Sequence, residues 1–356
     1  MSLKITITDI AKSLGITPAT VSRALNDHPG ISERTKRLVQ QEASRLHYNR
    51  NKIASSLRSG KTQVIGVIIP SAEINFFGSV VYGIESMANL SGYNVLLYQS
   101  NESRDSEVKG LDTFLGARVD GIIVSIAKNT LDYSHFINVK KKGVPLVFFD
   151  RANDDLGIPS VVVDDYKGAF YATEHLIRQG YRRIAHVSGP QHIKIFNDRL
   201  KGYMGAIQAN KMKVDFDLIY GGNVSIESGK ESAGYFLSMQ HPPDAVFAVE
   251  DFTALGLIKE LKDNQVKIPD EMGVIGFANE LFGKHITPSL STVDQQTVLM
   301  GKEAFNLLME SIRNRDEKET KPRKIVLEPI PIYRDSSVRK PEPKRKKAGR
   351  SGKTLV

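Results

Sequence analysis

Several features that mark particular classes of protein are missing from this chain of 356 residues. It contains no cysteine, which excludes disulfides, zinc–thiolate sites, iron–sulfur clusters and a cysteine nucleophile. No apolar run approaches the roughly 18 residues that a membrane span needs. The opening stretch MSLKITITDIAKSLG also lacks the apolar region of a secretory signal. We therefore expect a cytoplasmic protein with no membrane partner.

Motifs of common enzyme classes are missing as well. The string GKT occurs at 60–62 and 352–354, but Ser55 and Lys347 stand where a P-loop needs its first glycine. There is no G-x-S-x-G string, which rules out that nucleophile elbow. His186 and His192 lack the spacing of metal ligands. We therefore expect no enzymatic activity, no cofactor and no metal, and an enzyme is the weak alternative.

Positive charge is concentrated at the two ends of the chain. Residues 1–62 carry 11 Lys/Arg against 4 Asp/Glu, and residues 335–356 carry 8 against 2. Residues 63–334 carry 30 Lys/Arg against 34 Asp/Glu. A basic head on a mildly acidic body favours contact between the head and a polyanion. The alternative is a solvated charged surface.

The first 48 residues read as three short helices around one small core. Thr8 is predicted to cap a helix over Asp9–Leu14, which ends at Gly15. Thr17 is predicted to cap the second helix, with Pro18 at its first position. Ser32 is predicted to cap the third, through about His47. Apolar residues recur at helical spacing in all three segments.

The segment TDIAKSLGITPATVSRAL has the spacing of a helix-turn-helix. In that motif the second helix, here Pro18–Leu25, lies in the DNA major groove. Arg23 has the chemistry for a bidentate contact to guanine, and Ala19 suits a thymine methyl group. The hydroxyl and amide groups suit phosphates; they belong to Thr20, Ser22 and Asn26. The alternative is a plain three-helix bundle.

Residues 49–61, NRNKIASSLRSGK, predict a short basic helix with isolated apolar points. A helix this short is marginal alone. An exposed Leu57 suits a wedge that enters the minor groove and kinks the duplex. A simple linker is the alternative, but it leaves the leucine without a role.

From Thr62 onward, short β-rich runs alternate with helical stretches, which predicts parallel sheets covered on both faces. The first series of strands is 64–69, 93–98, 121–126, 145–149 and 161–163. The second is 183–188, 215–220, 245–249, 272–276, 290–294 and 324–328. Helical stretches are predicted between them at about 78–92, 104–118, 134–143, 166–180, 196–211, 227–240, 252–264 and 297–314. Two series imply two doubly wound α/β lobes with a ligand cleft at the carboxyl ends of the strands.

The tail VRKPEPKRKKAGRSGKTLV is rich in basic residues, Pro and Gly, and we predict that it is disordered. It has no leucine heptad for coiled-coil assembly. The domain plan has four parts. They are a head at 1–48, a hinge helix or linker at 49–61, a core at 62–334 and the tail at 335–356. Lobe 1 is predicted at about 62–161 plus 293–322, and lobe 2 at about 162–292 plus 323–334.

These segments together resemble the lactose-repressor/galactose-repressor (LacI/GalR) family of bacterial transcription regulators. The resemblance is carried by TDIAKSLGITPATVSRALN, ISERTKRLVQQEASRLHYNRN and KIASSLRSGKTQVIGVIIP. The body continues it with RVDGIIVS, GVPLVFFDR, HLIRQGYRRIAHVSGP, DRLKGYMGAI, PDAVFAVEDFTALGLIKEL and PSLSTVDQ. It implies a homodimer whose paired heads read a near-palindromic operator. It also implies a periplasmic-binding-protein-like core that binds a small effector.

The resemblance implies roles for residues of the head and hinge. Base-reading positions fall on Pro18, Ala19 and Arg23, and backbone-contacting positions on Thr8, Thr20, Ser22, Asn26 and Tyr48. Hinge-helix positions fall on Asn51 and Ala54, and the wedge leucine on Leu57. One departure is Arg50, where the family usually has Pro. We interpret Arg50 as loosening the start of the hinge helix and adding a contact to a DNA phosphate.

The resemblance also implies an effector wall on both lobes. In lobe 1 it consists of Ser71, Asn75, Phe76, Phe77, Gln99, Ser125, Asp150 and Arg151. In lobe 2 it consists of Lys194, Arg199, Asn223, Glu250, Asp251, Asn279 and Gln295. Polar groups of this kind fix the hydroxyls of a sugar, and a phenylalanine offers a platform for its ring. Arg199 is the strongest candidate because its planar fork suits vicinal hydroxyls or a carboxylate.

Two departures concern the effector. The family commonly has Asp in a Gly–aromatic–Asp string, but here Ala278 follows Gly276 and Phe277. Glu250 stands where a neutral amide is common. We therefore hypothesise a polar effector, a sugar or sugar acid, held differently from neutral sugars.

The sequence thus predicts an allosteric regulator that acts mainly as a repressor. Whether the effector releases or strengthens operator binding stays open, as does the choice between a dimer and a tetramer beyond the missing coiled coil. The main rival is a free sugar-binding or transport protein, since the body alone fits that class. Binding of DNA by residues 1–62 separates the two.

Overall fold

The computed structural model of the chain describes residues 5–48, 61–314 and 322–339. The chain forms two compact units, Met1–Thr62 and Gln63–Val356, which we call the head and the core. Within the described ranges, no helix is both long and apolar enough to cross a membrane.

Three helices form the head: α1 Ile7–Leu14, α2 Pro18–Leu25 and α3 Glu33–Arg45. Thr17 and Ser32 cap α2 and α3 as predicted, each accepting a backbone N–H with its hydroxyl oxygen. The three helices bury Ile10, Val21 and Val39 completely. Burial of this apolar set holds short helices that would not persist alone.

The predicted start of α1 is wrong by two residues. The helix begins at Ile7, so Thr8 lies inside its first turn and Thr6 precedes it. The Asp9 carboxylate accepts from both the N–H and the hydroxyl of Thr6, at 2.8 and 2.7 Å. This reciprocal capping pattern starts two residues before the threonine that we predicted as the cap.

A six-stranded parallel sheet organises the first half of the core, which we call lobe 1. Its strand order is β11-β5-β4-β3-β1-β2. The strands are β1 Val64–Ile69, β2 Asn94–Gln99, β3 Gly121–Val124, β4 Leu146–Phe149, β5 Ser160–Val163 and β11 Lys324–Leu327. The helices are α4 Asn75–Leu90, α5 Arg104–Gly116, α6 Ser134–Lys141 and α11 Thr297–Arg313. The α4 and α11 helices approach closely, because a Cβ on Gly83 would lie 2.3 Å from the Val298 carbonyl oxygen.

A four-stranded parallel sheet of order β7-β6-β8-β9 organises lobe 2. The strands are β6 Ile184–Ser188, β7 Ile219–Gly221, β8 Ala245–Ala248 and β9 Gly273–Ile275. The helices are α7 Asp165–Arg178, α8 Lys194–Ala209, α9 Ile226–Leu237 and α10 Asp251–Asp263. The predicted doubly wound architecture is present in both lobes.

The last two predicted strands join partners that we did not predict. Segment 324–328 was assigned to lobe 2, but β11 pairs with β5 in the sheet of lobe 1, so this assignment is wrong. Segment 290–294 yields β10 Thr292–Asp294, which pairs antiparallel with β12 Ile330–Ile332, while Ser291 forms an isolated parallel bridge with Ile275 of β9 in lobe 2. Hydrophobic patterning predicts a strand but does not say which of two parallel sheets accepts it.

Residues 334–339, which we call the C-terminal strap, are ordered against lobe 2. The hydroxyl of Ser336 donates to the Val274 carbonyl at 2.7 Å, and the Val274 N–H donates back to the Ser336 carbonyl. Ser337 is fully buried, with its hydroxyl 2.8 Å from His175 Nε2. The predicted disorder from residue 335 is therefore wrong for the strap. Residues 340–356 lie outside the described residues, as does the predicted hinge helix at 49–61 except for Lys61.

Candidate functional site

The exposed face of α2 carries the residues that we predicted to read bases. Pro18, Ala19, Arg23 and Asn26 are exposed, whereas Val21 is fully buried on the opposite side. Ala19 and Arg23 are four residues apart, so they lie on one face of the helix. The buried side fixes α2 in the head and leaves this polar face available to a partner.

The other predicted contacts of the head are placed as follows. Thr8 is exposed on α1, while Thr20, Ser22 and Tyr48 are half-buried. The hydroxyl of Thr20 lies 2.9 Å from that of Thr17, so it completes the cap of its own helix. Asn51, Ala54 and Leu57 fall in the part of the chain that the structure does not describe.

In the core, the carboxyl ends of the strands meet at a cleft between the two lobes. Arg151 follows β4 in lobe 1, Glu250 follows β8 in lobe 2, and Gln295 follows β10. The loops at this edge of a parallel sheet are where α/β folds place ligands. The side chains here therefore converge because of the topology rather than because they are close in sequence.

A cavity of about 370 Å³ occupies this cleft, and residues of both lobes line it. Of the predicted effector wall, the lining includes Ser71, Phe76, Phe77, Asp150, Arg151, Arg199, Glu250 and Gln295. It also includes Glu73, Ile74, Glu102, Lys128, Ile195, Phe196, Val224, Ser225, Ile226, Glu227, Phe252, Ala278 and Glu280. The wall thus combines phenylalanine rings with charged groups, which suits a ligand that has apolar faces and polar edges.

Most of the hydrogen-bonding capacity of Arg199 is used inside the protein. Its Nε donates to Asp165 at 2.8 Å, its Nη1 to the Val249 carbonyl at 2.7 Å and its Nη2 to Gln295 at 3.3 Å. Its guanidinium carbon also lies 3.8 Å from the centre of the Phe277 ring. Arg199 therefore holds lobe 2 and the crossover residue Gln295 together, in addition to facing the cavity.

Arg151 is the buried arginine of lobe 1, as Arg199 is of lobe 2. Its Nη1 donates to both carboxylate oxygens of Glu102, at 2.7 and 3.0 Å, and to the Ile126 carbonyl at 3.3 Å. Its guanidinium carbon lies 5.8 Å from the centre of the Phe77 ring in lobe 1 and 6.0 Å from that of Phe196 in lobe 2. Arg151 is thus held rigidly between rings from the two lobes.

Several acidic groups around the cavity are deeply buried. Burial raises the pKa of Asp165 to about 7, although the neighbouring Arg199 opposes this. Burial also raises the pKa of Asp251 to about 7, against hydrogen bonds from Thr292 and from the Glu280 N–H. The pKa of Glu250 and that of Glu280 are raised by burial as well. Asp165 and Asp251 therefore exchange protons near neutral pH, so the charge around the cavity depends on what occupies it.

The remaining predicted effector residues do not line this cavity. Asn75 and Asn223 are exposed, Lys194 pairs with Asp198, and Ser125 bonds to Asp150. The amide of Gln99 accepts the Ala72 N–H at 3.0 Å. Asp251 is fully buried, and Asn279 pairs with Arg334 and Asp294. Gln99, Ser125, Asp251 and Asn279 thus hold the loops of the site through hydrogen bonds, whereas Lys194 lines a neighbouring pocket.

Glu280 is the clearest residue of the cleft that the sequence analysis missed. It is almost fully buried in lobe 2, yet its Oε1 accepts the Phe76 N–H of lobe 1 at 3.1 Å. The α4 helix needs this acceptor, because Ile74 at its N-cap has no side-chain hydrogen bond to offer. The sequence did offer a signal for Glu280: it is an acidic residue two positions after Ala278, which departs from the family pattern.

We find no metal-binding cluster in residues 5–48, 61–314 and 322–339. No group of three or more His, Asp or Glu residues there is placed to hold a metal ion. The cleft presents buried charged groups and aromatic surfaces.

Comparison with known proteins agrees with both parts of this description. Residues 6–51 match the family model described as "Bacterial regulatory proteins, lacI family". Residues 62–334 match the model described as "Periplasmic binding proteins and sugar binding domain of LacI family". Catabolite control protein A of Priestia megaterium is 34% identical over 307 residues, which cover 86% of this chain and 92% of that protein.

Solved structures show the same architecture. A transcriptional regulator CelR–cellobiose complex aligns with a TM-score of 0.70 and 27% identity, over 93% of this chain and 99% of that one. The lac repressor dimer bound to operator and the anti-inducer ONPF aligns with a TM-score of 0.83 and 23% identity, over 95% and 100%. At 23% identity, the match to the lac repressor structure supports a shared fold and nothing further. With a family model over the head and another over the core, the chain belongs to the LacI family of DNA-binding transcriptional regulators.

Proposed function

We propose that the protein is a homodimeric repressor that binds a near-palindromic operator and is controlled by a small polar effector in the cleft. The observation that supports this proposal is the combination of an exposed polar face on α2 with a cavity walled by both lobes of the core. Arg23, Ala19 and Pro18 are the proposed base contacts. Thr8, Thr20, Ser22, Asn26 and Tyr48 are the proposed contacts to the DNA backbone.

The effector class that we propose is a sugar or a sugar acid. The family model that matches the core is described as a sugar-binding domain, and the CelR structure holds cellobiose. Phenylalanine rings and charged polar groups line the cavity together, as ring faces and hydroxyls require. Because the effector touches both lobes, its binding changes the angle between them. By thermodynamic linkage, operator and effector then change each other's affinity by the same factor.

The proposal is tested with the full-length protein in two steps. Selection from a pool of randomised duplexes is expected to enrich a near-palindromic sequence. A thermal-shift panel of sugars, sugar acids, sugar phosphates and nucleobases is expected to give a hit, because a ligand at a hundredfold excess over its Kd stabilises the native state by about 2.7 kcal/mol. Failure to enrich any sequence would favour the rival, a free sugar-binding protein.

The dimer surface that we propose lies on lobe 1, where α4 and the edge strand β2 expose apolar side chains. Tyr82 is 64% exposed, Leu90 83% and Leu97 50%. An exposed edge strand next to an apolar patch is typical of an interface.

Placing a charge on this surface is expected to dissociate the dimer. We predict that Leu97→Asp gives the 39.5 kDa monomer mass in sedimentation equilibrium, whereas the unchanged protein gives twice that mass. Leu131→Asp is the matched control, because Leu131 is 70% exposed but lies in the loop between β3 and α6, away from β2. A dimer that persists in the Leu97 variant places the interface elsewhere.

A second prediction concerns Leu57, which lies outside the described residues. We predict that Leu57→Ala weakens specific binding and reduces bending of the operator, because the wedge that unstacks a base step is lost. Binding of the effector is expected to be unaffected. Bending is measured by circular-permutation gel shift, and an unchanged bend angle rejects the wedge.

The basic tail is proposed to add affinity for DNA that does not depend on sequence. Deleting 340–356 removes 7 Lys/Arg and 1 Asp/Glu but keeps the strap. We predict a shallower dependence of the binding constant on salt, since fewer phosphates are neutralised. Deleting 335–356 is the contrasting variant: it also removes Ser336 and Ser337 and is expected to destabilise lobe 2. An unchanged salt slope for the shorter deletion shows that the tail does not contact DNA.

A further inference from the structure

More acidic than basic side chains line the inter-lobe cavity. Among the described residues, six carboxylates and three basic groups contribute to its lining. The carboxylates belong to Glu73, Glu102, Asp150, Glu227, Glu250 and Glu280, and the basic groups to Lys128, Arg151 and Arg199. Two of the basic groups are already paired, Arg151 with Glu102 at 2.7 Å and Arg199 with Asp165 at 2.8 Å. The lining as a whole therefore has an excess of formal negative charge.

Glu280 carries one of the carboxylates that no basic group balances. It is only 2% exposed, and its Oε1 accepts the Phe76 N–H of α4 at 3.1 Å. Within the described ranges, Glu280 forms no ion pair. Burial and the neighbouring Glu250 raise its pKa, and no basic side chain in those ranges lowers it. Because a buried charge is costly without a partner of opposite sign, this position favours a ligand that brings a positive charge.

Glu250 carries a second such carboxylate, at the N-cap of α10. It accepts the N–H of Phe252 at 3.0 Å and that of Thr253 at 2.7 Å. Burial raises the pKa of Glu250, and Arg199 opposes this, although Arg199 is already paired with Asp165. Glu250 is also one of the positions at which the sequence departs from the family pattern. An acid thus stands where a neutral amide would suffice to cap the helix.

The two helices offset only part of this charge. Glu280 binds the N-terminal turn of α4, and Glu250 caps α10. Each helix N-terminus contributes about half a positive charge. The two carboxylates, when ionised, therefore keep roughly one negative charge between them. A single ammonium group would neutralise it.

Each of the two carboxylates also lies beside a phenylalanine of the cavity wall. Glu280 is bonded to the N–H of Phe76, and Glu250 to that of Phe252. Arginines lie over other phenylalanine rings of the cavity. Among the described residues, however, no lysine or arginine lies over the ring of Phe76 or Phe252. Aromatic rings attract cations, and more strongly where water is excluded. Carboxylates beside aromatic rings are thus the complement of an ammonium group.

We propose that the effector is an amino sugar, whose protonated amine binds against the carboxylates of Glu250 and Glu280. This inference rests on the proposed function, because it assumes that the cleft binds a sugar. It narrows the effector class to a cationic sugar. A sugar acid would instead bring a further negative charge to a lining that already has an excess of it.

The test is isothermal titration calorimetry on the full-length protein at about pH 7, where a sugar amine is mostly protonated. The probes are glucosamine, galactosamine and mannosamine, the N-acetylated form and the parent sugar of each, and glucuronate. At least one amino sugar is expected to bind about tenfold or more tightly than its parent and its N-acetylated form, because charge-assisted hydrogen bonds are stronger than neutral ones.

The panel separates failure of the inference from failure of the proposed function. If sugars bind but no amino sugar exceeds both its parent and its N-acetylated form by that factor, the inference is overturned while the proposed function stands. Tightest binding of glucuronate overturns the inference in the same way. If no sugar of the panel binds, the sugar class of the proposed function is overturned as well.

Two variants then locate the amine. In Glu250→Gln/Glu280→Gln, both side chains keep an oxygen for the helix N–H groups but lose their charge. The ratio of parent-sugar Kd to amino-sugar Kd is therefore expected to fall to near one. Glu227→Gln is the control, because Glu227 lines the same cavity but pairs with Lys230 at 3.5 Å. This variant is expected to preserve the ratio. A ratio that survives in the double variant places the amine elsewhere and overturns the assignment.

Discussion

Replacing Arg199 with methionine is expected to lower the free energy of unfolding by about 3–5 kcal/mol, because one partner of a buried ion pair is removed. Arg199 is only 2% exposed, and its Nε lies 2.8 Å from the equally buried carboxylate of Asp165. The variant leaves that carboxylate and the Val249 carbonyl without their donor. Urea unfolding of the full-length protein measures the loss.

The matched control is Arg178→Ala. Arg178 also pairs with a carboxylate, that of Glu174 at 3.1 Å, but its side chain is 72% exposed. Exposed pairs contribute about 0–1 kcal/mol. Equal losses of unfolding free energy in the two variants would contradict the structural role of Arg199. If the Arg199 variant is as stable as the unchanged protein but no longer binds the effector, Arg199 acts only as a ligand contact.

The cost of losing Arg199 should also grow with pH. Burial raises the pKa of Asp165 to about 7, and Arg199 holds it from rising further. Near pH 5 the carboxyl is protonated in both folded proteins, so the variant loses only contacts. Above pH 7 the unchanged protein releases that proton while the variant retains it, and the difference in unfolding free energy widens. Adding Asp165→Asn to the variant is expected to abolish this pH dependence.

Replacing Arg23 with alanine is expected to cost about 1–3 kcal/mol in binding to the selected operator. Arg23 is exposed on the face of α2 that also carries Ala19, so the loss comes from a contact with DNA and not from the fold of the head. Fluorescence anisotropy with the selected duplex and with its single-base variants measures it. We expect the Arg23 variant to discriminate less between bases at one position of each operator half-site.

Arg45→Ala serves as the control in the same head. Arg45 is exposed at the end of α3 and pairs with Glu42 at 2.5 Å. Its loss is expected to leave the preference for one sequence unchanged, because Arg45 lies on α3 and not on α2, the helix that we propose reads the bases. An Arg23 variant that binds operator as well as the unchanged protein removes Arg23 from base readout.

Helical and strand elements of this chain were largely predictable from local patterns. The α2 helix was found with both ends because Thr17, Pro18 and the apolar spacing all favour the same boundaries. The parallel strands were found because runs such as VIGVII are buried on both faces. The start of α1 was missed because Thr6 and Thr8 are equally good caps by residue type, and only the reach of Asp9 decides between them.

Long-range pairing was not predictable in the same way. β11 pairs with β5, which lies over 150 residues earlier in the chain, and no local feature of KIVL selects that partner. Residues 335–339 of the strap were assigned to the tail because their polar sequence is similar in composition to that of residues 340–356. The serines of the strap are buried only because the edge of lobe 2 offers carbonyl and amide groups to pair with.

The candidate site shows the same limit. Arg151 and Glu250, each two residues after a strand, were found through the family resemblance, and the placement of strand ends at the cleft agrees with them. Phe196 and Phe252 were missed because they lie in the first turns of helices, where an aromatic residue reads equally well as core. Glu280 was missed because its carboxylate reaches the cleft by capping a helix of the other lobe.

The central claim is that one ligand in the cleft controls operator binding by the head. The most direct test titrates the selected operator into the full-length protein with and without the sugar that the calorimetric panel identifies, and then titrates that sugar with and without operator. We predict that the operator Kd changes at least tenfold when the sugar is saturating, and that the sugar Kd changes by the same factor when operator is saturating. An operator Kd that is the same with and without the sugar would contradict the account.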